Sequence, residues 1–269
     1  MIRDPAKART AAALATVLLL AGAAAPALAA PAKNASAAPA KNIVLVHGAW
    51  VDGSGWKPVY DILTRDGYRV TLAQEPLTSL ADDVAATKRV LDLQNGPTIL
   101  VGHSYGGSVI TVAGMHPSVV GLVYVAAHAP DVGESESALG KRFPSQVSQQ
   151  VGAIRSTPDG FTFLNRTDFA LDFAPDLPNG QADFEARSQM LTAAKVFSAP
   201  ITAAAWRTKP SWAIVADADM IINPNLERMY YARAHSHVTE LRGASHSVYE
   251  SEPKRVAAVI EDAAKNAQR

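Results

Sequence analysis

Short runs of apolar and β-branched residues alternate along the chain with longer segments in which apolar positions recur at helical spacing. Nearly continuous apolar runs are typical of parallel strands that are buried on both faces. Two more polar runs, 69–72 and 237–241, predict weaker strands nearer the edges of the sheet. The pattern therefore predicts an α/β fold, with one mostly parallel sheet of about six strands and helices on both faces. The buried strands are predicted at 43–46, 98–101, 121–125 and 211–216, and the helices at 55–65, 80–93, 105–115, 225–234 and 252–266.

The segment from Pro130 to about Arg207 breaks this alternation. It is rich in Pro, Gly, Ser and Asp, contains scattered phenylalanines and has no apolar strand run. A segment of this length is too large for an unstructured loop in a compact domain. A disordered excursion would also leave its aromatic side chains in water. We therefore expect a mainly helical cap, inserted at about 130–207, over the carboxyl ends of the strands.

The N-terminus has the pattern of a secretory signal. Arg3, Lys7 and Arg9 precede an apolar run over 10–25, and small residues stand three and one positions before a cut after Ala29. A membrane anchor is the alternative, but this run is shorter than the ~20 residues that cross a bilayer. The predicted boundaries are a signal peptide at 1–29, an Ala/Pro-rich linker at 30–41 and an α/β domain at 42–269.

Composition narrows the class of protein further. The 269 residues include no cysteine, and 25 basic side chains balance 25 acidic ones. The absence of cysteine excludes disulfides, thiolate metal sites and a cysteine nucleophile. The balanced charge provides no basic surface for nucleic acid. We expect a secreted or periplasmic protein with a small-molecule partner, no stable membrane insertion, no nucleic acid, no metal and no cofactor. The sequence leaves the oligomeric state open.

A candidate nucleophile stands between the predicted strand 98–101 and the helix that follows it. Gly102-His103-Ser104-Tyr105-Gly106 fits the Gly-x-Ser-x-Gly pattern in the strand-to-helix context that this pattern requires. The glycines give room for a tight, strained turn that presents the Ser104 hydroxyl at the edge of the sheet. A phosphate-binding loop is the other reading, but no Gly-Lys-Ser/Thr follows.

A serine nucleophile needs a base and a carboxylate from later strands, in the order Ser, Asp/Glu, His. Asp217 and Asp219 both follow the strand 211–216, and the residues alone do not choose between them. His246 follows the last strand in a loop of small residues and is the predicted base. His103 adjoins the serine, but we expect it to face away from it.

The oxyanion of an acyl-transfer reaction needs backbone donors that are already in place. The first strand ends in His47-Gly48-Ala49-Trp50, a turn that can present a free amide at the same edge. We assign the oxyanion hole to the amides of Ala49 and Tyr105. Trp50 and His128, together with Tyr105, are expected to line the near wall of the pocket.

With these motifs the chain resembles the α/β-hydrolases, and among them the small single-domain branch that includes plant methyl-ester esterases, hydroxynitrile lyases and many bacterial esterases. The likeness spans about 43–260. It implies that Asp219 is the acid and that Asp217 is a capping or solvated residue. The lyase branch is similar but carries a lysine directly after the catalytic histidine, where this chain has Ser247. The resemblance therefore implies hydrolysis. It is carried by 47–50, 102–107, 217–219, 222–224 and 245–246.

Together, these observations predict a secreted serine carboxylic-ester hydrolase, a carboxylesterase-type enzyme with Ser104, His246 and Asp219 as its triad. Its expected substrates are small to medium esters, aromatic ones included. Two alternatives stay open at this point. The same fold supports amide hydrolysis, carbon–carbon cleavage and lyase chemistry, and it also occurs in non-catalytic ligand-binding proteins.

Overall fold

Nine strands are formed within residues 39–268, the part of the chain that the computed structural model describes. They are β1 (Asn42–Val46), β2 (Arg69–Ala73), β3 (Thr98–Ser104), β4 (Val119–Ala127), β5 (Ile154–Ser156), β6 (Phe161–Leu164), β7 (Thr192–Ala193), β8 (Ser211–Ala216) and β9 (His237–Leu241). Six of them form one sheet in the order β2-β1-β3-β4-β8-β9, and all its neighbouring pairs are parallel. The predicted α/β fold is confirmed. The predicted signal peptide at 1–29, and residues 30–38 of the predicted linker, lie outside the described residues.

The position of each strand in the sheet follows from its sequence. β1, β3 and β8 are buried at every position and lie inside the sheet, as their continuous apolar runs predict. β2 and β9 carry exposed and half-buried residues and form the two edges. An edge strand has only one neighbour and can keep polar side chains in water, which explains the weaker apolar pattern of these two segments.

Helices cover both faces of the sheet, and the predicted helices are present with ends shifted by one or two residues. Along β1, Val44 and Val46 pack into one core cluster, while Ile43 and Leu45 pack into the other. Successive strand side chains point to opposite faces, so one strand supplies both clusters. The helices are α1 (Lys57–Arg65), α2 (Leu80–Asp92), α3 (Gly106–Ala113), α4 (Glu136–Arg142), α5 (Gln146–Gln149), α6 (Phe169–Asp172), α7 (Asn179–Ser188), α8 (Pro224–Arg233), α9 (Val248–Ser251) and α10 (Pro253–Asn266).

The insertion between β4 and β8 contains α4 to α7, as expected for a helical segment, and also a small sheet that the sequence did not predict. β5, β6 and β7 pair antiparallel in that order. β5 is exposed at all of its positions and β7 is only two residues long, so neither has an apolar run. The sheet exists through its pairing with the partly buried β6 rather than through the hydrophobicity of each strand.

Burial of aromatic side chains holds the insertion together. Phe169 and Phe173 are fully buried and stack with their ring centroids 4.9 Å apart. Phe184, by contrast, is 65% exposed on α7, so the expectation that the aromatic residues are buried fails at this position. Within residues 39–268, no helix has both the length and the apolar character needed to cross a membrane.

Candidate active site

The turn that joins β3 to α3 carries Ser104 in a strained backbone conformation. Ser104 is the last residue of β3. Its φ is 54°, in the left-handed region that residues other than glycine rarely adopt. A Cβ atom on Gly106 would lie 2.5 Å from the carbonyl oxygen of His47, and one on Gly48 would lie 2.7 Å from the Cβ of Ser104. Glycine at these two positions therefore lets the turns after β1 and β3 pack directly against each other.

The loops after β8 and β9 bring a carboxylate and an imidazole into contact. Nδ1 of His246 lies 2.6 Å from Oδ2 of Asp219, and both side chains are fully buried. The other carboxylate oxygen, Oδ1, accepts the amides of Ile221 and Ile222 at 2.7 and 2.9 Å. These two amides hold the carboxylate in a fixed orientation. A carboxylate can only accept, so Nδ1 of His246 is the donor, and Nε2 is the nitrogen that carries no proton when the imidazole is neutral.

Nε2 of His246 is buried and has no hydrogen-bond partner among residues 39–268. A buried nitrogen without a partner is costly in a folded protein and commonly marks a place where chemistry occurs. Asp217 makes a different contact, because its Oδ1 accepts the amide of Gly243 at 2.6 Å. Of the two carboxylates that the sequence left open, the structure therefore brings Asp219 to the imidazole and makes Asp217 a cap on a turn.

Two buried neighbours of this pair were not predicted from sequence. Nε2 of His103 donates to the carbonyl of His246 at 2.9 Å, and burial lowers the pKa of His103 well below its usual value. The ring of His103 packs between His246 and Tyr249, with centroids 4.6 and 4.3 Å away. Glu227 lies near Asp219, and burial together with the charge of Asp219 raises the pKa of Glu227 well above its usual value. His103 is therefore neutral at neutral pH, and the surroundings of Glu227 favour its uncharged form.

The turn after β1 presents the amide that was predicted to bind an oxyanion. Ala49 lines the same cavity as Ser104 and Tyr105. Among the described residues, neither the amide of Ala49 nor that of Tyr105 donates a hydrogen bond to another protein group. His47 anchors the start of this turn, because its Nε2 accepts the amide of Glu75 at 3.0 Å. Burial lowers the pKa of His47, so its imidazole stays neutral in that contact.

Trp50 fastens this turn to the insertion. Its φ is 65°, its amide donates to Oγ1 of Thr192 at 3.0 Å, and its indole nitrogen donates to Oγ1 of Thr162 at 3.1 Å. Its carbonyl accepts the amide of Met190 at 3.1 Å. Thr162 and Thr192 are paired neighbours on β6 and β7, so the unpredicted small sheet holds the residue next to Ala49.

A cavity of about 520 Å³ lies between the turns of the main sheet and the insertion. Trp50 and His128, which the sequence analysis placed on the pocket wall, both line it. The insertion adds apolar side chains such as Phe143, Val147 and Phe197, and also polar ones, among them Lys141 and Glu136, a buried residue that the sequence analysis did not single out. Within residues 39–268, no group of three or more histidine or acidic side chains is arranged to hold a metal ion.

Known proteins resemble this chain over most of its length in fold, and over shorter segments in sequence. A sequence model described as "Alpha/beta hydrolase family" matches residues 43–259. A carbendazim hydrolyzing esterase of Nocardioides sp. is 35% identical over 124 residues, which cover 40% of this chain and 51% of that protein. A pyrethroid hydrolase of Sphingobium wenxiniae is 35% identical over 99 residues, or 32% of this chain and 35% of that protein. The match thus spans about half the length of one curated relative and about a third of the other.

Solved structures with the same fold include several esterases and hydrolases. The crystal structure of the pyrethroid hydrolase PytH aligns with a TM-score of 0.72 at 24% identity, covering 84% of this chain and 98% of that one. Polyneuridine aldehyde esterase aligns with a TM-score of 0.71 at 17% identity, covering 83% and 98%. An extracellular α/β-hydrolase from a Paenibacillus species aligns with a TM-score of 0.65 at 19% identity, covering 82% and 98%. At these identities the alignments establish the fold.

Proposed function

This chain belongs to the alpha/beta hydrolase family, and from that premise we propose that it is a carboxylesterase-type serine hydrolase. One observation carries the proposal. His246 is held through Nδ1 by Asp219 at 2.6 Å, its Nε2 has no partner within residues 39–268, and the strained Ser104 lines the cavity beneath the insertion. A base fixed on one side and open on the other is what activation of a serine hydroxyl requires.

The proposed reaction begins when Ser104 Oγ attacks the ester carbonyl carbon and Nε2 of His246 takes the hydroxyl proton. The C–O bond that forms moves an electron pair onto the carbonyl oxygen, and the amides of Ala49 and Tyr105 bind this oxyanion. Asp219 stabilises the imidazolium that has formed. When the tetrahedral intermediate collapses, the bond to the leaving alkoxide breaks and His246 gives that oxygen the proton. The products of this half are an alcohol and an acyl group on Ser104.

Water completes the cycle by the same route. It attacks the acyl carbon while His246 removes its proton, and the second intermediate collapses as the proton passes to Ser104 Oγ. The carboxylic acid leaves and the free enzyme is restored. His103 contributes to both halves as a positioning residue, because its hydrogen bond to the carbonyl of His246 fixes the loop that carries the base.

Small and medium-sized esters, aromatic ones included, are the proposed substrates. The cavity volume of about 520 Å³ lies in the range of small-molecule sites, and Trp50, Tyr105 and Phe197 supply aromatic surface. The curated relatives named as a carbendazim hydrolyzing esterase and a pyrethroid hydrolase support hydrolysis of small organic substrates by this family.

A panel of p-nitrophenyl esters from acetate to octanoate tests the proposal. We expect saturable turnover of the shorter esters by the full protein, and a loss of at least about a thousandfold in kcat/KM in Ser104→Ala. Ser198→Ala removes a hydroxyl from an exposed site on the insertion and serves as the matched control. Turnover of no ester, or full activity in Ser104→Ala, would contradict the proposal.

We also propose that the protein is exported, with residues 1–29 as a signal peptide that is removed after Ala29. The support is the charged start, the apolar run and the small residues before the cut. Intact mass of the protein recovered from the medium or periplasm of the producing cell should correspond to a chain that begins at Ala30. A mass that retains Met1 to Ala29 would contradict the assignment.

A further inference from the structure

A buried pair of titratable side chains lines the cavity. Glu136 is the first residue of α4, is almost fully buried and lines the cavity beside His128. Its Oε1 accepts the hydroxyl of Ser108 at 2.5 Å. Its Oε2 lies 3.5 Å from Nε2 of His128, at the outer limit of hydrogen-bond distance, and neither atom makes a hydrogen bond of good geometry among the described residues. The catalytic steps proposed above use neither group.

The neighbouring tyrosine determines which nitrogen of His128 carries the proton. Nδ1 of His128 lies 3.3 Å from the hydroxyl of Tyr230, which has no other partner within residues 39–268. Tyr230 is fully buried, and a buried hydroxyl donates its proton to an acceptor when one is present. We therefore assign Tyr230 as the donor to Nδ1, which places the single proton of the neutral imidazole on Nε2, the nitrogen nearer to Glu136.

The carboxyl group of Glu136 presents a second proton beside Nε2 of His128. Burial raises the pKa of Glu136 to about 8, so the group is largely protonated at neutral pH. Oε1 already accepts from Ser108, which leaves Oε2 as the oxygen that carries the proton. Burial also lowers the pKa of His128 to about 3, so the imidazole is neutral. Two uncharged donors, on Oε2 and on Nε2, thus lie 3.5 Å apart without an acceptor.

We propose that Glu136 and His128 form a subsite that binds a second, uncharged carbonyl oxygen of the substrate, so that the preferred esters carry a ketone, amide or further ester carbonyl. A carbonyl oxygen has two lone pairs and accepts from both donors at once. The subsite adjoins the nucleophile, because the amide of His128 donates to the carbonyl of Ser104 at 3.1 Å. This inference rests on the proposed esterase function and names its substrate class.

Pairs of esters that differ only at the second carbonyl test the subsite. Ethyl 4-oxopentanoate is compared with ethyl pentanoate, and ethyl 5-oxohexanoate with ethyl hexanoate, with the acid product measured by chromatography. The quantity of interest is the ratio of kcat/KM for the oxo ester to that for its alkyl partner. The ratio cancels the active-enzyme concentration. We expect at least one pair to give a ratio of about ten or more for the wild-type protein near neutral pH.

Two substitutions of Glu136 test whether the subsite needs a hydrogen-bond donor or only a side chain of this size. In Glu136→Gln, the amide oxygen still accepts from Ser108 and the NH2 group still donates into the cavity, so the ratio should be kept. In Glu136→Met the shape is kept and the donor is lost, so the ratio should fall to near one. Tyr230→Phe removes the donor to Nδ1 of His128. The imidazole proton is then no longer held on Nε2 and can move to Nδ1, so the ratio should fall several-fold.

The pH dependence gives a readout that does not depend on how well the methionine variant folds. As pH rises through about 8, Glu136 loses its proton and its charge repels the carbonyl oxygen, so the wild-type ratio should fall by about pH 9. Glu136→Gln should keep its ratio there. The other groups that face the subsite do not change charge in this interval: burial keeps His128 neutral and raises the pKa of Tyr105 and Tyr230 far above it. Lys141, on α4, also lines the cavity. His246 acts equally on both esters of a pair, so its contribution cancels from the ratio.

Each outcome has one reading. A wild-type ratio near one for both pairs, with both esters turned over, would overturn the subsite and leave the esterase function standing. An unchanged ratio in Glu136→Met, or a fall above pH 8 that Glu136→Gln shares with the wild type, would also overturn it. Turnover of no ester at all would instead overturn the esterase function.

Discussion

The two walls of the cavity are built in different ways. The wall on the sheet side consists of turns that follow β1, β3 and β8, held by backbone hydrogen bonds, close glycine contacts and the positive φ of Ser104. The wall on the insertion side consists of side chains from α4 and the segments around it, such as Glu136 and Phe197. In the proposed function, the reacting groups therefore belong to the sheet-side wall, while the insertion selects which substrate reaches them.

Substitutions in the two walls should therefore affect different kinetic constants. Changes on the sheet side should act on kcat, because they disturb groups that meet the reacting atoms. Changes on the insertion side should act on KM or on the choice between substrates. Trp50 lies where the walls join, since Thr162 and Thr192 of the insertion hold it next to Ala49.

The largest expected difference lies between two carboxylates of one loop. Asp219→Asn should lower kcat by about three to four orders of magnitude, because an amide in that place favours the wrong tautomer of His246. Asp217→Asn is the matched control and should change kcat by no more than a few-fold, because Asp217 only caps the amide of Gly243. Steady-state kinetics on one p-nitrophenyl ester measures both. Equal losses in the two variants would mean that the acid is assigned to the wrong residue.

A smaller effect is expected where the two walls meet. Thr192→Val keeps the shape of the side chain but leaves the amide of Trp50 without its acceptor, so the turn that carries Ala49 should loosen. An unpaired buried donor costs about 1–3 kcal/mol, and kcat should fall by about tenfold with little change in KM. Thr208→Val, at an exposed residue away from the cavity whose hydroxyl donates to the carbonyl of Ala205, is the control. A rise in KM with unchanged kcat would place Thr192 in substrate binding instead.

The smallest expected effect concerns stability at a second contact between the insertion and the rest of the domain. Gln181 on α7 donates to Glu185 at 3.1 Å and to Glu250 on α9 at 2.8 Å. Burial, with the charge of Glu185 as a further cause, raises the pKa of Glu250 to about 9. A raised carboxyl pKa in the folded state contributes stability that is present below the unfolded value and is lost as pH rises through the folded value. Between these values the protein should therefore become less stable as pH increases.

Thermal unfolding at several pH values measures this dependence. Between about pH 6 and pH 9, the Tm of the wild type should fall by a few degrees more than that of Glu250→Gln. Glu252→Gln, two residues away, is the matched control and should follow the wild type. If the Tm declines equally in all three proteins, the contact between Glu185 and Glu250 does not cause the pH dependence.

The sheet and the turn that carries Ser104 could be predicted from sequence because both follow from local patterns. β1, β3 and β8 are continuous apolar runs, and Ser104 stands in a motif whose glycines are required by the close approach of the turns after β1 and β3. Choosing Asp219 over Asp217 needed the family resemblance, because each carboxylate follows the same strand and only the folded loop shows which one reaches His246.

The insertion could be predicted only in outline, because its structure depends on contacts between distant segments. β5 and β7 have no apolar pattern, and their pairing with β6 makes them strands. Glu136 follows the capping residue Ser135 at the start of α4, where an acidic residue is common in any helix. Its burial comes from contacts with Ser108 on α3 and with His128, which are distant in the chain, and has no counterpart in the local sequence. The contacts of His103 and Glu227 were missed for the same reason. The hydrogen-bond partner of His103 is 143 residues away in the chain, and that of Glu227 is 11 residues away.

Covalent labelling with a fluorophosphonate probe, read by intact mass, tests most directly the claim that Ser104 is an activated nucleophile on the sheet-side wall. The full protein should gain the mass of one adduct, peptide mapping should place it on Ser104, and Ser104→Ala should gain none. Asp219→Asn should label far more slowly than Asp217→Asn, because the probe reports the same activation by His246. A wild-type protein that stays unlabelled, or an adduct that persists in Ser104→Ala, would contradict the claim and favour a binding protein with a hydrolase fold.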